Sequence, residues 1–267
     1  MEKNNAEKIV SNFYNTIGWD IKDGNSEDAT RFEDLRSNAS AYVSKCRLRL
    51  LRHIPNEGEK LLDMASGPIQ YIEYMEFSRN FSEHHCVDLS KDALTIASKK
   101  LGAKGVMHHG SFFDLQFEES SFDCAISLHT IYHIDAELQE AAVRKLISLV
   151  KSGANVIIVY SNPHTLISKL ERVRWFAKLI NRKVVNYAVE ETLYFYPHNL
   201  DWWSRFSDVS QVKINPWRSL NSDHQKSMIP DNFFGRLSLK ALFKAEDVFP
   251  KTFARYFQYP MIVLKRK

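Results

Sequence analysis

The chain lacks most of the features that mark specialised protein classes. Three cysteines occur in 267 residues, Cys46, Cys86 and Cys124. Their odd number and wide spacing argue against a disulfide framework and a zinc knuckle. No apolar run is long enough to span a bilayer. The opening residues, MEKNNAEKIV, have no apolar core of the signal-peptide kind. Together these absences predict a reduced, cytoplasmic compartment. There is no internal repeat and no low-complexity linker. An excess of one charge is also missing: the net charge of +4 permits an anionic partner without demanding nucleic acid.

What is present is ordinary in amount and informative in order. Hydrophobic residues make up 44% and charged ones 25%, enough for a globular chain with a sizeable core. Its length suits one large domain, or one domain with an inserted cap. The chain is organised around Lys60 to Gln70, KLLDMASGPIQ. Leu61 and Leu62 form a short apolar run ending on Asp63, followed by the small-residue turn Ala65-Ser66-Gly67. Pro68 suits a first helical turn, and Ile69, Ile72 and Met75 carry helical spacing. The segment reads as buried strand, tight turn and helix, with Ile69 beginning the helix. Such a turn lets backbone approach a ligand and aims helix amides at it. Taken alone, it reads equally well as an ordinary strand-to-helix connection.

The flanking segments extend this unit. Residues 1–55 read as helical, with Ile9, Phe13 and Ile17 on one face, and Phe32, Leu35, Tyr42, Val43 and Cys46 continuing the pattern. Pro55, Asn56 and Gly58 end the second helix. His85-Cys86-Val87-Asp88 closes a second strand, and Ser90 is placed to cap a helix that Gly102 ends. Val106-Met107, Phe122–Leu128 and Asn155–Tyr160 read as the third to fifth strands, with a helix between the last two, capped by Asp135 and ended by Gly153. Strands alternating with helices at this spacing predict a parallel sheet, with ligands at the strand carboxyl ends by the topological switch point. Asp63, Asp88, Ser111 and Ser127-Leu128-His129 all fall at such ends.

Beyond residue 160 the pattern is looser. Thr165–Lys183 has an amphipathic helical spacing, with Lys169, Arg172, Arg174, Lys178, Arg182 and Lys183 set against Glu171. It reads either as a solvated face or as a lid that docks an anionic acceptor or a membrane surface. Tyr194 to Phe206 is crowded with aromatics. Val209–Ile214 reads as a strand, Ser238–Phe249 as a helix and Tyr259–Leu264 as a last strand. His84-His85 and His108-His109 read as strand residues at surface and edge.

With these positions laid out, the chain resembles the class I S-adenosylmethionine-dependent methyltransferases. LLDMASGP is similar to the family's acid-x-Gly-x-Gly turn, CVDLSKDAL to its ribose-binding segment, and GSFFDLQFEESSFDCAISLHTIYHI to its adenine-side loop and fourth strand. LISLVKSGANVIIV is similar to the helix, turn and fifth strand that follow. The likeness covers roughly residues 58–160 and the terminal strand. It departs from the pattern at Ala65 and Ile69, where glycines are usual, and at Ser111, where an acid is common. The fold implied is α/β: a Rossmann-like, doubly wound, mostly parallel sheet in three layers, with an antiparallel last strand. Residues 1–57 would form a helical cap and 58–267 the methyltransferase domain, with insertions at about 163–206 and 218–256.

The resemblance implies S-adenosylmethionine as cofactor. Asp63, Ala65, Ser66 and Gly67 would hold its methionine end. Asp88, with Leu89 beside it, would take the ribose hydroxyls, as a two-oxygen carboxylate can. Ser111 and Phe112 would flank the adenine, and Ser127 and Leu128 would pass beneath the sulfonium. Helix caps are the plain alternative for Asp63 and Asp88, and core packing for Phe112. His129 and His133 are the candidates for catalysis. A neutral imidazole can take the proton of a hydroxyl acceptor near neutral pH; the alternative for both is a structural hydrogen bond. No metal is expected, because no Glu completes a site with the His pair. Tyr14, Tyr196, His198, Trp202 and Arg218 are the acceptor-side candidates, with Tyr14 and Trp19 also closing over the cofactor. The expected activity is O-methylation of a sugar, a glycan or a similar small-molecule hydroxyl. A natural product or an amine as acceptor, or a fold that kept binding and lost catalysis, stands as the alternative. The expected partner is a small molecule, with carbohydrate, phosphate-bearing and lipid-linked acceptors among the candidates, no nucleic acid, and at most peripheral membrane contact.

Overall fold

The computed structural model describes residues 33–169 and 194–267, together with Glu7 and the backbone of residues 21–22 and 25–26. The helical pattern read at Ile9, Phe13, Ile17 and Phe32, the residues Tyr14 and Trp19, and most of the basic stretch 165–183 lie outside the described residues. Residues 166–169 are helical, with the Thr165 hydroxyl accepting from Ser168 N at 3.0 Å.

Seven strands form one sheet: β1 (Gly58–Met64), β2 (Phe81–Asp88), β3 (Gly105–His109), β4 (Phe122–Leu128), β5 (Val150–Val159), β6 (Ser210–Arg218) and β7 (Tyr259–Arg266). Their order is β3-β2-β1-β4-β5-β7-β6. Pairs among β1–β5 are parallel. β7 runs antiparallel between β5 and β6. This is the mostly parallel, doubly wound arrangement expected, with its switch point between β1 and β4.

Side chains alternate along each strand, so the apolar runs feed two cores. Leu62, Met64, Ala125, Val156 and Ile158 face one side, packed with Ala142, Val143 and Leu146 of α4 (Gln139–Leu149) and with Trp203 and Phe206. Leu61, Cys124, Ile126, Ile157 and Val159 face the other, packed with Leu50, Phe77 and Trp217. Covering both faces buries the inner strands, which is why they read as unbroken apolar runs. It also corrects the reading of His84. β2 lies inside the sheet, so His84 is fully buried rather than at a surface.

Several boundaries move. The helix after β1 does not begin at Pro68 or Ile69; α2 is Ile72–Met75 and passes directly into a 3-10 turn. Asp135 caps no helix with its side chain, since α4 begins at Gln139 after an uncapped Leu138. Gly153 does not end that helix either, for β5 already runs from Val150. After α5 (Ser222–Met228), the last helix of the reading is longer and starts earlier, α6 at Phe233–Val248. α3 (Lys91–Leu101) is capped by the Ser90 hydroxyl, as its sequence predicts. All three cysteines are buried free thiols. Among the described residues no helix is long and apolar enough to cross a membrane.

The N-terminal helix α1 (Ser37–Arg47) does not stand apart. Tyr42, Val43 and Cys46 pack against Leu239 of α6. A buried charge network fixes the contact. Arg49, in the 3-10 turn Leu48–Arg52, donates to Glu246 at 2.7 Å and to the Trp217 carbonyl at 2.8 Å. Glu246 also accepts from the Tyr42 hydroxyl at 2.6 Å and from Ser219 N at 3.1 Å. A buried pair adds little net stability over apolar packing, but loss of one partner strands the other charge. Glu246→Ala is expected to lower the unfolding free energy by about 3–5 kcal/mol. Arg52→Ala, on the exposed pair with Asp247, should cost under about 1 kcal/mol. Urea titrations of the two variants check this.

Candidate functional site

The turn after β1 keeps a left-handed backbone at three places: Ala65 (φ 57°), Gly67 (φ 56°) and Ile69 (φ 50°). For a β-branched residue this is an uncommon conformation. The neighbourhood enforces it. Asp88, ending β2, accepts from Gly67 N at 2.9 Å through one carboxylate oxygen and from Ser90 N at 2.8 Å through the other. Ser66 N donates to the Val87 carbonyl at 3.1 Å. Ile69 is buried against Cys86, Leu94, Ala97 and Leu101, and its carbonyl accepts from Lys100 Nζ at 2.8 Å. The substitutions at Ala65 and Ile69 thus leave the backbone in the shape that glycine would adopt.

Asp63 is buried at the end of β1, with its carboxylate 3.5 Å from His84 Nε2. Asp88 retains two of its roughly four lone-pair sites beyond the two amides. Burial raises its pKa above the usual carboxylate value, against the pull of the amides of Ser90 and Gly67. Leu89 offers its carbonyl to the His109 ring at 3.1 Å. The Ser111 hydroxyl donates to Glu7 at 2.7 Å, and Phe112 lies in the main core. Ser127, fully buried at the end of β4 beside Met64, has a hydroxyl without a partner among the described residues. Leu128 borders the second core. A left-handed turn, a carboxylate with spare acceptor sites and an orphan hydroxyl at one switch point fit the polar groups of S-adenosylmethionine.

His129 leaves β4 with φ 59°, its N–H bonded to the Val159 carbonyl at 3.1 Å. Its ring packs against Trp217 and Tyr259 at 4.8 and 5.0 Å. Nδ1 lies 2.9 Å from the Tyr132 hydroxyl. Burial first, and then the positive charges of Arg218, His133 and Arg47, push its pKa well below the ordinary imidazole value. His133 donates Nδ1–H to the Tyr194 carbonyl at 2.6 Å, which leaves the lone pair on Nε2; burial lowers its pKa too. Arg218 is buried beside Trp217 and Tyr259 and pairs with Glu33 at 2.7 Å. Glu33 also meets Arg47 at 3.3 Å, and the Arg47 guanidinium lies 3.3 Å over the Tyr71 ring. Glu33 therefore bridges the loop after the turn to the wall around His129.

Tyr196, His198 and Trp202 form a separate stack, with His198 parallel to Trp202 at 4.5 Å. Tyr160 links this stack to the rest: its hydroxyl accepts from His198 N at 2.7 Å and its ring meets Tyr132 at 5.6 Å. Among the described residues no group of three His, Cys, Asp or Glu is placed to hold a metal ion. Glu33, Arg47, Tyr71, Tyr132, Trp217 and Tyr259 were not picked out from the sequence. Arg47 did leave a signal, because it sits four residues after Val43 on the inward face of α1.

Comparison with known proteins bears on the fold that carries this geometry. Residues 62–158 match a protein family described as a methyltransferase domain. No curated protein matches the chain. Among solved structures, magnesium protoporphyrin IX methyltransferase from Synechocystis, with bound S-adenosylhomocysteine, is 13% identical with a TM-score of 0.59, over 98% of this chain and 100% of that one. Geranyl diphosphate C-methyltransferase from Streptomyces coelicolor is 12% identical with a TM-score of 0.56, over all of both chains. A SAM-dependent methyltransferase from Archaeoglobus fulgidus is 15% identical with a TM-score of 0.52, over 84% of this chain and 94% of that one. Likeness at this identity establishes the fold.

Two outcomes follow from the site's strain and titration. A left-handed alanine costs about 1–2 kcal/mol, partly offset by the entropy of a freer glycine. Ala65→Gly should therefore raise the unfolding free energy by about 1 kcal/mol, whereas Ile69→Gly should lower it by about 2–4 kcal/mol, because buried packing outweighs relief. Both are read from denaturant midpoints. His129 has a folded pKa below its unfolded one, so the unfolded chain takes the proton first. Its contribution is complete above about pH 6.5 and is lost as pH falls below that value. In His129→Asn, which keeps a residue tolerant of positive φ, the loss of stability from pH 6.5 to 5 should be shallower by up to about 1.4 kcal/mol per pH unit.

Proposed function

From a chain whose residues 62–158 match a methyltransferase domain on a class I fold, we infer an S-adenosylmethionine-dependent methyltransferase that methylates a hydroxyl of a sugar or similar polyhydroxylated small molecule, with a histidine as base. The observation that carries the reading is the meeting, at the β1/β4 switch point, of the Asp88-held turn and His129. S-adenosylmethionine supplies an electrophilic methyl group on a sulfonium. Asp88 holds the ribose hydroxyls with its remaining lone pairs, and the turn backbone with Ser127 lines the methionine end. With Nδ1–H donated to the Tyr132 oxygen, His129 keeps its lone pair on Nε2 and takes the proton of the acceptor hydroxyl. Its depressed pKa keeps it neutral at pH 7. The rings of Trp217, Tyr259 and Tyr132, with Arg218 beside them, give the acceptor apolar faces and a fixed charge. Of the expected cap segments, the described parts 33–57, 163–169, 194–206 and 218–256 belong, on this reading, to the cover over a domain spanning 58–267.

The competing reading is a binding protein that lost catalysis, for which the non-glycine residues Ala65 and Ile69 and the non-acidic Ser111 speak. The retained left-handed backbone weighs against it.

S-adenosylhomocysteine is expected to raise the melting temperature, and Asp88→Ala to weaken its binding by about 1–3 kcal/mol. Against a panel of sugars, with product identified by mass spectrometry, His129→Asn should lower turnover by about 10²-fold or more, with cofactor affinity nearly unchanged. The acidic limb of the wild-type pH–rate profile should lie below pH 6.5 and vanish in that variant. If the limb vanishes instead in His133→Asn, the base is His133. Binding of S-adenosylhomocysteine without transfer to any acceptor would favour the inactive reading.

A further inference from the structure

Helix α6 is apolar on the side where a surface helix is normally polar. Its inward face is Gly235, Leu239, Leu242 and Glu246, at spacings of four, three and four, turned toward α1. The opposite face carries Phe233, Leu237, Lys240, Lys244 and Val248, again at helical spacing. Phe234 and, just past the helix end, Phe249 flank it. Phe233 and Phe234 are each 69% exposed, Val248 66%, Phe249 60% and Leu237 54%. Large apolar side chains exposed at both ends of one helix mark an interaction surface.

The helix cannot roll to hide these rings. At its first turn the inward position is Gly235, where an added Cβ would lie 1.8 Å from the Pro230 carbonyl oxygen. That carbonyl is itself held by Asn38 of α1 at 3.0 Å, and Asn232 caps the helix through Gly235 N at 3.1 Å. Glu246 locks the other end to Arg49. The outward display of Phe233 and Phe234 is thus built into the packing.

Charge identifies the occupant. Lys240 and Lys244 lie midway along this face, between its two apolar ends, with Arg236 on the same helix. The helix's own acids are engaged elsewhere: Glu246 with Arg49, and Asp247 with Arg49 and Arg52. Asp231 precedes the helix, near Arg36. Lysine is depleted in protein–protein interfaces, and a two-fold contact through this face would set lysines against lysines. Lysines set among phenylalanine and leucine can instead lay their stems along an acyl boundary and lift their ammonium groups to anionic headgroups, which adds charge attraction to the burial of apolar side chains in a membrane interface.

We propose that the outward face of α6, continued by Val248 and Phe249, is a peripheral docking surface for an anionic lipid bilayer. Docking does not depend on the identity of the methyl acceptor.

The test is co-sedimentation of the full chain with vesicles of phosphatidylcholine alone and of phosphatidylcholine containing phosphatidylglycerol. The chain should bind the anionic vesicles and not the neutral ones, and binding should weaken as salt is raised. Lys240→Gln with Lys244→Gln should weaken it roughly 30-fold, about a factor of five for each lysine. Phe233→Ser with Phe234→Ser should weaken it at low and high salt alike. These side chains are exposed, so both variants should keep the wild-type melting temperature. Absence of binding to anionic vesicles overturns the proposal. So does binding that the double variants leave intact, which would assign the contact to another part of the chain. A concentration-dependent dimer by sedimentation velocity, abolished by the phenylalanine variant, would make the face a self-association surface and overturn the membrane assignment.

Discussion

The carboxylate of Asp88 joins two strand ends that the chain visits 25 residues apart, at Asp63 and Asp88. One oxygen holds the amide of Gly67 and the other that of Ser90, so a single side chain sets both the turn after β1 and the entry to α3. Much of the site depends on this. A turn with alanine and isoleucine in left-handed conformations is unfavourable alone, and persists because its surroundings over-determine it. The Val87 carbonyl, the Lys100 ammonium and the pocket around Ile69 complete that constraint. Backbone that glycine would reach freely is reached here by packing.

A second constraint shapes the acceptor side. The Arg49–Glu246 pair and its partners Tyr42, Ser219 and the Trp217 carbonyl tie α1, α6 and β6 into one body. That body carries Arg47 and Arg218 inward, where Glu33 bridges them. The same packing turns the apolar outer stripe of α6 to the surface. Site and surface are two consequences of one helix pair, and the buried charges specify how the pair is docked.

The aromatic residues divide along the same line. Trp203 and Phe206 belong to the main core, and Tyr196, His198 and Trp202 stack on one another beside it. Trp217, Tyr259 and Tyr132 surround His129. A run of rings in sequence is thus shared between packing and a binding wall, and composition alone does not separate the two.

What the sequence determined by itself was local. β4 was legible to the residue, β2 at its carboxyl end, and the Ser90 cap of α3 directly, because strand runs, caps and glycine stops are written within a few neighbouring residues. The resemblance over 58–160 and the terminal strand extended this to a mostly parallel, doubly wound sheet with an antiparallel last strand. The rest was decided by tertiary structure. The start of α2 shifted because Ile69 obeys its pocket rather than its helical spacing. His84 is interior because β2 has neighbours on both edges and cover on both faces. Glu33, Arg47, Trp217 and Tyr259 come together from segments up to 226 residues apart, and no periodicity encodes that meeting. It exists because β7 inserts antiparallel between β5 and β6, and because a buried ion pair holds the turn after α1 against α6. Local pattern fixes which way a side chain faces on its own element; only the packing of elements decides what it faces.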